Sequence, residues 1–588
     1  MANSMIHHPL SRFARIGAAS IFLFLMLLVI LARLPFDVLA SPLIYMLGAA
    51  AVTCLAVRLL EGPKSQIMAL GALAAFMAII LLWAIATQSF YEVGQDGHSY
   101  HLAAIWSLAE GWNPFYAPPH KNIWVDSYPN GYWVLEAYIV SLTGLLLSGK
   151  SLNIGIMAAV ALLSFGYFHD RLAPVYPRVK ILAALILGGI VVANPVVLTQ
   201  IMTHYEDGPL YLLGAGLLFF LLSDASTPSR LSRWAAIASI VLMVNTKTAA
   251  LYYVPLITIG IFMAEGLLKK PGETMIGYAV GWILRKGVPY GAAFVIGIAL
   301  IGYKPYVTNV LDHDAFLYPA VDEIMDTNLP ENLETLSGPE KFLYGIFSRT
   351  EDSVWPVLVT APINLKFPGS VWISEFKDLD FDTRRGGFGP LFSLAFILAF
   401  ASYGIARLAG HGRHEMDGQR DGDVLAVTGG LLIIISAAFP EPWWARYIPF
   451  VWLGVLLLAL GALFQFSRGL PAMAARGLLG IVILCFLGNI AAGLLGSLRQ
   501  SLNTYQRTAM IEEMKRYPVI EISLIEDPRE TSDYQSDIIT SSDMVWQHLL
   551  AARGINAIIT DEFIKENCAI SGFFDGNILW CAKGQPTG

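Results

Sequence analysis

The sequence predicts an all-α polytopic membrane protein with about 13 transmembrane helices and a small C-terminal α/β domain outside the membrane. Of its 588 residues, 55% are hydrophobic and 14% are charged, and the mean hydropathy is +0.57. The apolar residues occur in runs close to the length that crosses the hydrocarbon core of a bilayer. From about residue 500 the apolar runs stop and the composition becomes more acidic, which indicates a separate domain.

The apolar runs define the spans of a membrane domain over residues 1–496. We place spans at 17–32, 40–60, 66–87, 180–195, 208–223, 234–245, 248–263, 287–303, 386–406, 424–439, 447–466 and 477–496. The region 131–168 is less regular, because Glu136 and Gly144 interrupt its first part. We interpret it as a broken or juxtamembrane helix with one net crossing.

The basic residues of the short loops predict the sidedness. Lys and Arg accumulate in short cytoplasmic loops, and here they lie around residues 58–64, 171–180, 230–233, 269–286, 407–420 and 468–476. Alternation of the spans then puts loops 88–130 and 304–385, and the tail after 497, on the opposite side. We therefore expect a bacterial-type inner (plasma) membrane protein whose active site and C-terminus face the periplasm.

The tail, residues 497–588, has the pattern of a small α/β module. The stretches 516–528, 541–554, 555–563 and 577–584 read as strand, helix, strand and strand. Cys568 and Cys581 both lie in this tail. A disulfide between them is expected in an oxidising compartment, and the sequence alone leaves it open.

Ionisable residues occur at the predicted outer ends of the spans, where charged side chains are costly unless they have a function. The carboxylates are Asp96, Glu206 and Asp207, and the cations are Lys247, Lys304, Arg384, Arg385 and Arg446. A carboxylate can take a proton from a nucleophile as general base. Lys and Arg can stabilise the charge that develops on a phosphate leaving group.

Other interpretations of these residues stay open at this stage. An Asp at a helix start is often an N-cap, and Lys304 or Arg446 could be an interfacial residue that extends its charge to water. Trp443, Trp444 and Tyr306 suit a sugar face and a membrane interface equally. His98 could support Asp96 or be plain polar surface. A divalent ion held by Asp96, His98 and Asp207 is a further alternative, which the spacing does not require.

Several functions are excluded by what the sequence lacks. It has no GxxxxGK[ST] phosphate loop and no GxGxxG after a strand, so it has no nucleotide-binding motif of those kinds. It has no Ser hydrolase elbow. The net charge of −7 gives no indication of nucleic acid as a partner.

The order of several short motifs resembles the GT-C superfamily of integral membrane glycosyltransferases. These motifs are an acidic residue followed by "HLAAIWSLAEGWNPFY" and "YPNGYW", the acidic pair in "THYEDGPLY", the Lys in "NTKTAALYY", then "KPYVTN" and "WWARY". The chain looks similar to protein O-mannosyltransferases and to the lipid A aminoarabinose transferase over roughly residues 66–466. The first acidic loop follows the third span here, whereas in the usual family pattern it follows the first.

This resemblance implies a function and roles for residues. It implies a polyprenyl-phosphate sugar as donor, transfer at the outer face to a glycan, lipid or protein acceptor, and Asp96 as the catalytic residue. The second acidic site of the family maps onto Glu206 and Asp207. Two alternatives are an oligosaccharyl or glycan ligase that uses a polyprenyl diphosphate, and a lipid-linked sugar transporter or flippase.

Overall fold

The computed structural model describes residues 8–92, 94, 96–174, 176–267, 272–319, 329–351, 361–410, 417–465, 469–524, 544–560, 567–575 and 578–586. Its helices are α1 Pro9–Leu31, α2 Pro42–Glu61, α3 Pro63–Thr87, α4 Leu102–Ala109, α5 Ile123–Ser127, α6 Gly131–Thr143, α7 Ser151–Leu172, α8 Lys180–Val192, α9 Pro195–Gln200, α10 Asp207–Ser226, α11 Arg230–Val244, α12 Ala250–Gly266, α13 Met275–Trp282, α14 Val288–Ile296, α15 Thr308–His313, α16 Gly338–Phe347, α17 Phe392–Gly410, α18 Asp417–Ala437, α19 Phe450–Gly461, α20 Leu470–Met514 and α21 at 544–551.

Short π- and 3₁₀-helices connect or extend these elements. The π-helices are Gly97–His101, Ile283–Gly287, Gly297–Ile301 and Tyr303–Val307, and the 3₁₀-helices are Glu331–Leu333, Ile373–Phe376 and Ala462–Phe464. The first π-helix leads directly into α4, so Asp96 lies at the start of a continuous helical segment.

Eight helical segments among the described residues are long and apolar enough to cross a membrane. They are Pro9–Leu31, Pro42–Glu61, Pro63–Thr87, Ser151–Leu172, Asp207–Ser226, Met275–Ile301, Phe392–Ala409 and Leu470–Met514. Three shorter apolar helices, Lys180–Val192, Ala250–Gly266 and Phe450–Phe464, accompany them. The chain is thus an integral membrane protein with a mostly helical fold, and the predicted number of about 13 spans is not confirmed.

Helix α1 lies at the centre of the first bundle, against α3, α7 and α11. The contact between α1 and α7 requires a glycine, since a Cβ atom at Gly166 would lie 2.8 Å from Cβ of Ala14. Helix α10 is buried on nearly every face, which is typical of a helix that is apolar all round. These contacts fix the ends of α10 and α11, where Asp207 and Lys247 lie.

Helix α20 is continuous over 45 residues and passes through the predicted domain boundary at 496. At 1.5 Å per residue it is about 68 Å long, which is more than the roughly 30 Å of a hydrocarbon core. No glycine or proline interrupts residues 497–514, so nothing in the local sequence ends the helix where the apolar run stops. The first strand of the C-terminal sheet, Val519–Leu524, lies within the stretch 516–528 that the sequence predicts as a strand.

The C-terminal domain contains a four-stranded sheet of β1 Val519–Leu524, β2 Ala557–Ile559, β3 Ile570–Asp575 and β4 Ile578–Lys583. The strand order is β2-β1-β4-β3. Strands β1 and β2 are parallel, with α21 between them in the chain, and β4 is antiparallel to β1 and β3. The sequence did not predict β3. Cys568 and Cys581 form a disulfide, as expected.

Candidate functional site

Six ionisable side chains meet beside the ends of several helices and form what we call the ionic cluster: Asp96, Asp207, Lys247, Asp382, Arg384 and Arg446. Asp207 is the first residue of α10, where the positive end of the helix dipole favours a carboxylate. Lys247 follows the end of α11, and Arg446 precedes α19. Helix ends therefore bring together residues that are far apart in sequence.

Arg446 is the centre of the ionic cluster. Its Nη1 lies 3.7 Å from Oδ2 of Asp96 and 3.9 Å from Oδ2 of Asp207. Its Nε lies 3.1 Å from Oδ1 of Asp382. One guanidinium group thus contacts three carboxylates, and its side chain is only 9% exposed. Burial of this kind is tolerated because the charge is compensated on several sides.

Asp207 has a second cation and a neutral donor. Nζ of Lys247 lies 2.5 Å from Oδ1 of Asp207, and Nε2 of Gln200 donates to Oδ2 over 3.4 Å. Gln200 also accepts from the backbone N–H of Gly208 and donates to the carbonyl of Phe381. It therefore joins the start of α10 to the segment that carries Asp382.

Asp382 was not predicted from the sequence, and it connects Arg446 to Arg384, with which it also forms an ion pair. Its backbone N–H and that of Thr383 donate to Asp380. Thr383 has a φ angle of 43°, an uncommon conformation for a β-branched residue. The hydrogen bonds to Asp380 hold this turn in place, and the turn places the Asp382 carboxylate next to Arg384 and Arg446.

Aromatic rings cover the cations of the ionic cluster. Trp444 lies under two guanidinium groups, at 3.8 Å from Cζ of Arg384 and 4.5 Å from Cζ of Arg446. Tyr447 lies 5.2 Å from Cζ of Arg446 and 5.5 Å from Nζ of Lys247. Tyr205 also faces Arg446. Such cation–π contacts contribute about 0.5–2 kcal/mol each.

Asp96 is the most accessible carboxylate of the ionic cluster, with 36% of its side chain exposed compared with 2% for Asp207. The protein around it still removes most of its water, and this burial raises the pKa of Asp96 above its ordinary value. Arg446 lowers that pKa and the charge of Asp382 raises it further. An accessible carboxylate with a raised pKa is suited to accept a proton.

Glu206 precedes Asp207 but has a different environment. It is 1% exposed, and neither of its carboxylate oxygens has a hydrogen-bond partner among the described residues. Burial raises the pKa of Glu206 well above its ordinary value, although Lys247 lowers it. Because an unpaired buried carboxylate is costly when ionised, the surroundings of Glu206 favour its protonated form.

A buried polar network that the sequence did not predict lies behind Asp96. Oε2 of Glu92 accepts from the backbone N–H of His204 over 3.0 Å, and the His204 ring bonds Glu136 at 3.0 Å. Burial lowers the pKa of Lys150, beside these carboxylates, to about 8. A Cβ atom at Gly97 would lie 2.2 Å from Cγ of Glu92, so Glu92 packs directly under the residue that follows Asp96.

Several predicted site residues have partners elsewhere. Nζ of Lys304 bonds Asp126 at 2.5 Å, and Arg385 lies near Glu351 and donates to the carbonyl of Ala361. The hydroxyl of Tyr306 donates to the carbonyl of Val244. These contacts do not include the ionic cluster, so the structure gives the three residues structural partners.

Trp443 lies one ring away from the ionic cluster, stacked on Trp444 with ring centroids 5.2 Å apart, and His98 packs on α21. Nε1 of Trp443 donates to Glu441, and its ring belongs to a small apolar core with Leu333 and Ile363. The ring of His98 packs against Trp546 of α21, with ring centroids 6.0 Å apart. Of the predicted site residues, the structure brings together Asp96, Asp207, Lys247, Arg384, Arg446 and Trp444, whereas Lys304, Arg385, Tyr306 and His98 have the other partners named above.

The possible metal ligands Asp96, His98 and Asp207 do not form a recognisable site among the described residues. No group of three or more His, Cys, Asp or Glu side chains that could hold a metal ion occurs in the part of the chain that the structure describes. Asp96 and Asp207 instead share Arg446, and His98 faces α21. The residues present fit an ion-paired site better than a metal centre.

No family model matches the chain, and no curated protein sequence matches it. The chain is similar to ArnT from Cupriavidus metallidurans bound to undecaprenyl phosphate, with 13% sequence identity over 87% of this chain and 98% of that chain, and a TM-score of 0.42. This likeness concerns the fold alone.

Proposed function

We propose that this protein is a membrane glycosyltransferase that moves a sugar from a polyprenyl-phosphate donor to a hydroxyl of an acceptor outside the cytoplasm. The observation that supports this most is the composition of the ionic cluster. It has an accessible carboxylate, Asp96, next to Arg446 and close to Lys247 through Asp207. A general base and cations for a leaving phosphate are the two requirements of such a transfer.

The proposed reaction is one direct displacement. The oxygen of the acceptor hydroxyl attacks the anomeric carbon, and Asp96 takes the hydroxyl proton as the new C–O bond forms. The bond between the anomeric carbon and the phosphate oxygen breaks, and its electron pair leaves with polyprenyl phosphate. A single displacement inverts the anomeric centre, by the same logic that distinguishes inverting glycosidases from retaining ones.

The proposed phosphate ligands are Lys247 and Arg446. In the ionic cluster three cations, Lys247, Arg384 and Arg446, face three carboxylates, Asp96, Asp207 and Asp382. Because these charges balance, a phosphate must compete with the carboxylates for the two cations. Arg384, which already binds Asp382 and Trp444, is a weaker candidate for the phosphate.

The roles of the remaining polar groups follow from their exposure. Asp207, held by Lys247 and Gln200, is proposed to position the donor phosphate through Lys247. Glu206 has two oxygens free of hydrogen bonds within the described protein. It is proposed to shape the wall of the site rather than to carry charge.

The experiment is a transfer assay with the purified full-length protein in lipid vesicles. Labelled polyprenyl-phosphate sugars are added with a mixture of envelope acceptors, and release of polyprenyl phosphate is measured with and without a chelator. Release of polyprenyl phosphate from the polyprenyl-phosphate sugars supports the proposal. Polyprenyl-diphosphate sugars are tested in parallel, and release of lipid from these donors alone supports a glycan ligase. Movement of labelled lipid across the bilayer without release supports a flippase. If the chelator abolishes the release of polyprenyl phosphate, the transfer requires a divalent ion.

A further inference from the structure

The segment that carries Asp96 is held by the C-terminal part of the chain. Trp546 of α21 is 1% exposed, and its ring packs against Tyr91 and His98, with centroids 6.3 and 6.0 Å apart. These two residues lie on either side of Asp96 in the sequence. The ring of Trp546 therefore bridges the chain before and after the proposed general base.

Two arginines of the C-terminal part bind the backbone of the same segment. Nη2 of Arg553 donates to the carbonyl of Gln88 over 3.0 Å, and its guanidinium lies 5.7 Å from the ring of Tyr91. Nη1 of Arg507, in α20, donates to the carbonyl of Glu92 over 2.6 Å. The carbonyl groups of Gln88 and Glu92, which follow the end of α3, thus accept hydrogen bonds from charged donors. Such hydrogen bonds are stronger than those from neutral donors.

His548 makes a third set of contacts, at the C-terminal end of α4. The ring of His548 lies 4.9 Å from that of Trp106, and its Nε2 is 3.7 Å from the carboxylate of Glu110. Contacts from α20 and α21 thus reach from Gln88 to Glu110. They cover the entry to the first π-helix and the helix that follows it.

The other side of this segment packs on the membrane domain. Glu92 accepts from the backbone of His204 and fills the space under Gly97. His204 lies three residues before Asp207, the partner of Lys247. A shift of residues 91–98 toward or away from His204 would therefore change the separation between Asp96 and the cations of the ionic cluster.

We infer that the C-terminal domain is a brace for the catalytic segment, with Trp546 and Arg553 as positioning residues for Asp96. This inference rests on the proposed function. Neither residue contacts the ionic cluster, and both act through Tyr91, His98 and the backbone of Gln88. Because a misplacement of about 1 Å can cost about 100-fold in rate, the brace controls turnover without touching the substrate.

The test compares full-length variants in the transfer assay and by hydrogen exchange. Trp546→Ala and Arg553→Ala should lower kcat about 10- to 100-fold and leave the donor KM within about 2-fold, because the phosphate ligands are not moved. Trp546→Phe should retain most of kcat, since it keeps an aromatic ring. The matched control is Met544→Ala, in the same helix, because Met544 is 56% exposed.

Hydrogen exchange separates bracing from general stability. In Trp546→Ala the amides of residues 88–110 should exchange faster, while those of α10 and α17 should not change. Unchanged exchange at 88–110 would overturn the brace, and so would faster exchange throughout the protein. Local acceleration with unaltered kcat would overturn its role in positioning. If the native protein transfers no sugar, the proposed function fails, and exchange still decides whether the domain holds the segment.

Discussion

The guanidinium of Arg446 lies 3.7 Å from the carboxylate of Asp96, and both side chains face the same ionic cluster. Arg446 favours the ionised form of Asp96, whereas burial and the charge of Asp382 favour the protonated form. Because these effects together raise its pKa, Asp96 takes up a proton more readily than an exposed Asp. The proposed acid–base chemistry depends on this balance.

Asp96→Asn should remove the general base and retain the size of the side chain. A general base contributes about 10²- to 10⁴-fold to the rate, so turnover with saturating donor should fall by that factor. Donor binding should not weaken, because the variant removes a carboxylate that competes with the phosphate for Arg446, and the melting temperature should change little. Glu334→Gln, at an exposed acid outside the ionic cluster, is the control. Near-normal turnover in Asp96→Asn would mean that the base is another residue, with Asp207 as the next candidate.

Removal of the proposed phosphate ligands should affect donor use. Lys247→Ala and Arg446→Ala should each weaken donor binding, and Arg446→Lys should restore it only in part, because an ammonium cannot contact several oxygens as a planar guanidinium does. Donor affinity measured on purified protein is the readout. Lys377→Ala removes an exposed cation and should have no effect. Unchanged affinity in both alanine variants would assign Lys247 and Arg446 to the structure of the site.

The sidedness of the membrane domain is a prediction from the basic loops. Reporter fusions after residue 500 or near 330 should report the outer compartment, and fusions near 275 or 415 should report the cytoplasm. The physical reason is the retention of Lys and Arg in short loops on the cytoplasmic side. A cytoplasmic signal at 330 would place the segment of Asp382 on the wrong side for the proposed donor.

The predicted residues that the structure brings together lie next to helices whose apolar runs are easy to recognise in the sequence. Asp207 begins α10, Lys247 follows α11 and Arg446 precedes α19, so their common location follows from the order of the helices. Asp382 lies in a long connecting segment without periodicity. Its placement depends on contacts with Asp380 and Trp444, which no local sequence pattern predicts.

Lys304 and Arg385 are predicted site residues that the structure places outside the ionic cluster. Both lie in segments predicted to be on the outer side, and charge alone gave no reason to separate them from Lys247. Their partners, Asp126 and Glu351, are 178 and 34 residues away in the sequence. Pairing between distant residues is decided by tertiary packing, which the positions of charges in a sequence do not contain.

The pH dependence of the transfer should respond to Asp382. Since the charge of Asp382 raises the pKa of Asp96, Asp382→Asn should lower that pKa. Activity requires ionised Asp96, so the acidic limb of kcat/KM should move to lower pH in the variant. The other charges that act on Asp96 are Arg446, Lys247 and Asp207, and they remain in place. A shift of the limb to higher pH would contradict the assignment of Asp96 as the group that titrates.

Glu206→Gln should make the stability of the protein less sensitive to alkaline pH. Glu206 is buried, and its pKa in the folded protein is raised well above the roughly 4.3 of an unfolded chain. For an acid with a raised pKa, the folded protein binds a proton that the unfolded chain releases, so its contribution to stability is complete below about pH 4.3 and declines as pH rises toward the folded pKa. The slope is at most about 1.4 kcal/mol per pH unit for one proton. Glutamine has the same shape and cannot ionise, so the variant should lose less stability than the native protein between about pH 5 and 9.

The measurement is the melting temperature in detergent across this range, with Glu334→Gln as the exposed control. Parallel curves for the native protein and Glu206→Gln would mean that Glu206 is ionised in the folded state, with Lys247 as the cation that compensates its charge.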